Sequence, residues 1–170
     1  MLKLLPFLSI LFLLGACWPS SISLSDTGGM PAEWQTFSLQ TLVNNAANAP
    51  NNYSLNLSEQ IKDGIQNNTR LTLNPTTGKG EVFIEGTING YSIMPVALQE
   101  GDNAAKNRLT ISTQFIIHIS APNEEDMTVS STRFIDYDSN SDLATVEANL
   151  LEEINKQIVQ DVINKLLSNW

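Results

Sequence analysis

Residues 109–120, with the sequence LTISTQFIIHIS, alternate between two kinds of side chain for the length of a strand. Every second residue from Leu109 to Ile119 is apolar except Thr113, and the residues between them are polar except Ile116. Since successive side chains of a strand point to opposite faces, this pattern predicts a strand with one face in the core and one mostly polar face. The sequence around this strand is therefore expected to supply layers that cover its apolar face.

Three further segments are predicted to be strands. Alternation in residues 81–89 predicts a half-buried strand, and Gly90 is expected to introduce a bulge before a continuation at residues 91–95. Residues 127–137 predict another strand, but their alternation does not indicate which face is buried. Residues 34–43 are predicted to form a first strand.

Two segments have the periodicity of amphipathic helices. Leu57, Ile61 and Ile65 recur every four residues within 54–68, and a longer apolar stripe begins at Leu143 behind capping side chains that include Asp142. The predicted order is β-α-β-β-β-α. It favours an α+β two-layer sandwich, with about four mostly antiparallel strands and two helices on one face.

The N-terminal region resembles a lipoprotein signal peptide. Lys3 and an apolar run at 4–14 precede Leu14-Gly15-Ala16-Cys17, the pattern at which a lipoprotein is cleaved and acylated. The run is too short for a membrane span, which takes roughly 20 apolar residues. We therefore expect a signal peptide at 1–16, a lipidated Cys17 with a flexible tether to residue 32, and one domain at 33–170. Because Trp18 rather than Asp follows Cys17, the outer membrane is the expected location.

Composition excludes several classes of function. The chain has 9 Lys and Arg against 18 Asp and Glu, and loss of Lys3 with residues 1–16 leaves a formal charge of −10. Such a chain repels nucleic acid. One Cys allows no internal disulfide, and one His with one Cys makes a zinc site implausible. We expect no metal and no cofactor.

No catalytic motif is recognisable in the sequence. His118 falls on the polar side of its predicted strand without a nucleophile motif nearby, so an exposed strand histidine is the favoured interpretation. The acidic stretch from Asp136 to Asp142 is only loosely similar to a calcium loop, because Ser141 stands where such a loop requires glycine. The sequence thus favours a protein that is not an enzyme.

Four segments together resemble the LptE-type lipopolysaccharide-assembly lipoproteins. They are NGYSIMPVA at 89–97, NRLTI at 107–111, FIDYD at 134–138 and LSNW at 167–170. The resemblance implies two helices on a four-stranded sheet. It also implies an outer-membrane lipoprotein that plugs the lumen of the β-barrel LptD, helps that barrel assemble and binds lipopolysaccharide.

The resemblance makes three cations candidates for lipopolysaccharide contact, since phosphate prefers a positive partner. They are Lys106, Arg108 and Arg133, and the alternative interpretation is that they balance neighbouring acids. A second function also stays open, that of a periplasmic lipoprotein of similar fold that captures a lipid or peptide in a groove without a barrel partner.

Overall fold

The computed structural model describes residues 29–96 and 106–168. The predicted signal peptide, Cys17 and the last two residues of the LSNW segment lie outside these residues. The elements, in chain order, are β1 (Thr36–Leu39), β2 (Val43–Asn44), α1 (Tyr53–Asn68), β3 (Thr72–Leu73), β4 (Val82–Val96), β5 (Lys106–Ile119), β6 (Glu125–Asp138) and α2 (Leu143–Leu167).

The six strands form one mixed sheet in the order β3-β1-β4-β5-β6, with β2 also paired to β4. β4, β5 and β6 are long and antiparallel, whereas β1 pairs in parallel with β3 and β4. The predicted α+β class is confirmed. The sheet has more strands than expected, because the segment at 34–43 divides into β1 and β2, and β3 follows α1 as a two-residue strand.

The core lies between one face of the sheet and the two helices, and we call this face the inner face. On β5 the inner face is formed by the odd-numbered residues from Leu109 to Ile119, of which Ile111, Phe115 and Ile117 are fully buried. The apolar stripes of both helices pack on it, as their buried residues show. The other face, the outer face, is left uncovered by the described helices.

The structure also resolves the face of β6 that its sequence left open. Met127, Val129 and Tyr137 are buried on the inner face, and the even-numbered residues of β6 lie on the outer face. β6 begins at Glu125, two residues before the predicted start of this strand at residue 127. The predicted bulge is confirmed by a register shift between Ile88 and Gly90. Asp142 is the N-cap of α2, where its side chain accepts a hydrogen bond from the amide of Ala144.

The two helices approach most closely at Gly64. A Cβ atom added there would lie 2.3 Å from Cγ1 of Val159. Replacing Gly64 by Ala is expected to lower the free energy of unfolding by about 1–2 kcal/mol. Overpacking costs roughly 1–3 kcal/mol, and the better helix propensity of Ala returns up to about 1 kcal/mol. Urea unfolding followed by circular dichroism would measure the difference.

Two controls test whether the lower free energy of unfolding comes from the contact between the two helices at Gly64. Gln66→Ala, at an exposed position of the same helix, should change stability little. In a Val159→Ala background the space opens, so adding Gly64→Ala should no longer destabilise the protein. A Gly64→Ala variant as stable as wild type would show that the helices do not depend on this close contact.

Candidate functional site

Two of the three candidate cations lie together on the outer face. Lys106 and Arg108 begin β5, and the register places Arg108 between Met94 of β4 and Asp136 of β6. Both cations are thus next to the end of β4 and the end of β6, on the face that no described helix covers. The structure brings these two residues together, as their spacing of two on a strand predicts.

Apolar side chains surround this pair. Phe134 is 50% exposed and Met94 is 64% exposed, and the guanidinium carbon of Arg108 lies 3.8 Å from the centroid of the Phe134 ring. A cation over an aromatic face is an attractive arrangement. We call Met94, Lys106, Arg108, Phe134 and Asp136 the outer patch. It combines positive charge with accessible apolar surface.

Asp136 limits how much of this positive charge is available. Arg108 Nε donates to its Oδ1 at 2.6 Å and Nη2 to its Oδ2 at 2.9 Å. These hydrogen bonds from Arg108 hold the pKa of Asp136 below its usual range, so the carboxylate stays charged. The pair is exposed, and such exposed pairs contribute little to stability. Arg108 can therefore exchange Asp136 for another anion at small cost.

Arg133 lies elsewhere, on the inner face beside α2. Its guanidinium donates two hydrogen bonds to the carboxylate of Asp161, one of them from Nε at 2.8 Å, and the Ser131 hydroxyl donates to the same carboxylate. The side chain of Asp161 is only 18% exposed. Partial burial would raise the pKa of Asp161, but the hydrogen bonds from Arg133 and Ser131 lower it. Arg133 thus links β6 to α2 and neutralises a half-buried acid.

His118 lies on the outer face at the opposite end of β5 from Lys106. Its Nδ1 is 2.7 Å from Oδ1 of Asp126 and its Nε2 is 3.5 Å from Oε2 of Glu85. The ring also stacks on Phe83, with centroids 5.6 Å apart. His118 is therefore a half-exposed histidine held between two acids, in agreement with its placement on the polar side of the strand.

A groove of 760 Å³ separates the solvent-facing sides of α1 and α2. Its lining is rich in amides and charged groups, among them Asn56, Gln60 and Glu147. At its base the Tyr53 hydroxyl donates to Oδ1 of Asn155 at 2.7 Å, and burial raises the pKa of Tyr53, so the hydroxyl stays protonated. The groove has a mixed lining, because Leu151, Val159 and Ile163 also border it.

Two further observations concern the described residues only. Residues 29–96 and 106–168 contain no group of three or more His, Cys, Asp or Glu side chains that could hold a metal ion. Nor does this part of the chain contain a helix long and apolar enough to cross a membrane.

Sequence reasoning did not identify Met94, Phe134, Asp136 or Asp161 as neighbours of the candidate cations. The first three become neighbours through the pairing of β4 and β6 with β5, and Asp161 through the packing of α2. One signal was present in the sequence. Phe134 alternates in step with Thr132 and Ser130, so it had to share their face of β6.

The comparison with protein families decides the assignment. A sequence model of the LptE family, described as lipopolysaccharide-assembly, matches residues 34–166. The chain belongs to the LptE family. The match includes β1 to β6, α1 and nearly all of α2, and it confirms the resemblance seen in the sequence. The comparison with curated proteins found no match.

Solved structures show that the fold recurs. A hypothetical protein from Chlamydia trachomatis superposes with a TM-score of 0.53 at 9% identity, covering 80% of this chain and 99% of that chain. Lipoprotein B from Nitrosomonas europaea, which is described as uncharacterized, gives a TM-score of 0.52 at 15% identity, covering 87% and 91% of the two chains. At these identities the likeness concerns the fold alone.

The acids around His118 generate a prediction about pH. Burial lowers the pKa of His118, but the carboxylates of Asp126 and Glu85 together raise it by a larger amount, so the net shift is upward. A raised pKa in the folded state adds stability that is present below the ordinary value of 6.5 and lost as pH rises through the folded value. Urea unfolding should therefore show a loss of stability as the pH rises above about 6.5, and His118→Gln should abolish that loss. An equal loss in the variant would assign the pH dependence to other groups.

Proposed function

We propose that this chain is an outer-membrane lipoprotein, anchored through Cys17, that plugs and helps assemble an LptD-like β-barrel and assists lipopolysaccharide transport to the outer leaflet. The observation that carries the proposal is the LptE family match over residues 34–166. In this function the protein is not an enzyme, and it contributes by adding buried interface to the barrel and by contacting the lipid in transit.

The N-terminal sequence supports the anchor. Cys17 follows the apolar run at 4–14 and the small residues Gly15 and Ala16, as acylation requires. Two or more acyl chains hold a protein on a membrane stably, whereas one chain holds it marginally. The proposed tether runs from Cys17 to residue 32. Fully extended, a segment of this length reaches at most roughly 55 Å, so the domain stays close to the membrane surface.

The outer face suits contact with the inside of a barrel. The lumen of an outer-membrane barrel is lined mainly by polar side chains. Between the outer patch and His118, the outer face of β4, β5 and β6 carries Thr, Ser and Gln side chains, which include Thr87, Thr110, Ser112, Gln114, Ser130 and Thr132. Hydroxyl and amide groups both donate and accept hydrogen bonds, so such a surface can meet a polar wall without burying unpaired charge.

Direct lipopolysaccharide contact is proposed at the outer patch. Lys106 and Arg108 supply positive charge for phosphate, and the exposed side chains of Met94 and Phe134 supply apolar surface for an acyl chain. Arg133 fits the other interpretation, that of balancing an acid, because Asp161 occupies its guanidinium. The three cations of the sequence prediction thus divide between the two roles that were considered for them.

The barrel partnership can be tested by affinity purification from detergent-extracted membranes through a C-terminal tag, followed by mass spectrometry. We expect one large outer-membrane barrel protein to co-purify in roughly equal amount with the wild type. The Cys17→Ala variant keeps the folded domain but loses the lipid, so less of the complex should be recovered. Recovery of the wild-type lipoprotein alone from intact membranes would contradict the proposed partnership.

The lipid contact can be tested with purified lipopolysaccharide and three variants of the soluble domain. Lys106→Ala and Arg108→Ala should each weaken binding by about tenfold or more, since a hydrogen bond to a charged group contributes roughly 1.5–3 kcal/mol and about 1.4 kcal/mol corresponds to a factor of ten. Asp136→Asn should strengthen binding, because it releases Arg108 from its carboxylate partner.

Lys156→Ala is the matched control. Lys156 is an exposed cation of α2 that pairs with Glu152 and Glu153. The Lys156→Ala variant therefore loses the same charge at a position outside the outer patch. If Lys156→Ala weakened binding as much as Arg108→Ala, lipopolysaccharide would be responding to net charge, or to the groove that Lys156 lines, and not to the outer patch.

The groove between the helices favours a second candidate function, the capture of a ligand by a lipoprotein without a barrel partner. Its 760 Å³ is within the usual size range of ligand pockets, and its lining combines amides and charged groups with Leu151, Val159 and Ile163, which suits an amphipathic ligand. This candidate would become the working hypothesis if the lipoprotein purified alone and native mass spectrometry showed a bound small molecule.

A further inference from the structure

The strand β6 has an unpaired outer edge. Within residues 29–96 and 106–168 its only neighbouring strand is β5. The two strands pair without a break from Ile119 opposite Glu125 to Lys106 opposite Asp138. The sheet therefore ends in a 14-residue strand, while the strand at its other edge, β3, has two residues.

The hydrogen-bond pattern identifies the backbone groups on this edge. The amide of Ser120 donates to the carbonyl of Glu81, so even-numbered residues of β5 direct their backbone groups to β4 and odd-numbered ones to β6. The odd-numbered residues of β6 are opposite the odd-numbered residues of β5 and are bonded to them. The backbone N–H and C=O groups of Thr128, Ser130 and Thr132 consequently point to the open edge.

The usual protections of an edge strand are weak in β6. Proteins discourage pairing at an edge with Pro, bulges, short strands or charged side chains, Lys above all. β6 contains no Pro and no Gly, its register with β5 is regular, and its only cation, Arg133, is bound to Asp161. Its four acids lie at the two ends, so the only charge in the middle of β6 is that of Arg133, which is paired with Asp161.

A groove runs beside the middle of this edge. Its volume is 530 Å³, and it is lined by residues 128–133 of β6 together with Asp161, Lys165 and Ser168. Six residues of an added strand would extend roughly 20 Å. The groove thus lies where the backbone of an added strand would lie, and α2 forms its side.

The charges at the ends of β6 indicate what kind of strand fits. Glu125 and Asp126 are at its start, Asp136 and Asp138 at its end, and all four are exposed. In a symmetric antiparallel pair of two copies, the start of one β6 would lie beside the end of the other, so acids would meet acids. Like charges directly opposite each other destabilise a sheet. The edge therefore disfavours a second copy and favours a segment with basic ends.

We propose that the open edge of β6 binds an extended protein segment by strand addition, and that this segment carries Lys or Arg on both sides of a stretch of small or β-branched residues. Backbone hydrogen bonds to Thr128, Ser130 and Thr132 provide the affinity, and the acids at the two ends select the basic flanks. Strand addition does not require lipopolysaccharide, although the acids at the end of β6 include Asp136 of the outer patch.

Fluorescence anisotropy with labelled synthetic peptides tests the proposal on the soluble domain. The probe is the peptide KKTVTVTVKK, and its charge-reversed counterpart is EETVTVTVEE. The basic peptide should bind at least about tenfold more tightly, because electrostatic complementarity decides between backbones of equal strand propensity. Ser130→Pro should abolish binding by removing one edge N–H, whereas the matched control Ser130→Ala keeps that N–H and should bind as wild type does.

Two further measurements keep the test decisive if Ser130→Pro folds poorly. The first uses peptides that are N-methylated at the three Val or at the three Thr residues, which leaves the protein unchanged. Because alternate N–H groups of an added strand point to β6, one of these two peptides must lose binding. The second is light scattering of the protein without peptide, which shows whether the protein is a monomer or a dimer. Equal binding of the acidic peptide, or of both methylated peptides, would overturn the proposal. So would a dimer that Ser130→Pro dissociates, because a second copy would then occupy the edge.

Discussion

The burial of one face of β5 under two helices is the constraint on which the rest of this structure depends. β5 is paired on both sides, and its inner face holds Ile111, Phe115 and Ile117 without exposure. Because the side chains of a strand alternate with a period of two, a slip of one residue would exchange the two faces. The same register that buries these residues places Lys106 and Arg108 outside and sets Arg133 of β6, opposite Ile111, on the inside. The division of the cations is therefore a consequence of core packing.

Asp161 on α2 requires compensation, since its side chain is only 18% exposed and a charge that loses water is costly unless it is paired. Arg133 supplies the pair, and Ser131 adds a hydrogen bond to the same carboxylate. With a net charge of −9 over the whole sequence, the protein repels a phosphorylated lipid at long range. A contact at Lys106 and Arg108 would thus act at short range, where Phe134 and Met94 contribute apolar surface that salt does not screen.

Much of the fold follows from local pattern, and the parts that do not follow have a physical reason. Repeats of four residues and the Asp142 cap predicted α1 and α2, and alternation predicted β4, β5 and the bulge near Gly90. The two-residue strands β2 and β3 exist only because β4 and β1 pair with them, so no local signal marks them. The buried face of β6 could not be predicted, because Arg133 lies on the inner face and Phe134 on the outer face. Asp161, which pairs with Arg133, is 28 residues further along the chain. The outer patch could not be predicted from local sequence either, since its residues lie on three strands.

Phe134 connects the outer patch to the open edge of β6. Its ring belongs to the outer patch beside Arg108, and its backbone N–H and C=O belong to the even-numbered series that points to the open edge of β6. A strand added at that edge would extend the outer face past Phe134 and Asp136, next to the cations. Any change that strand addition makes in lipid affinity must be matched by an equal change that the lipid makes in the affinity for the strand. The two-residue strand β3 at the other edge of the sheet offers no such connection, so the β6 side is where the proposed strand partner and the proposed lipid contact would influence each other.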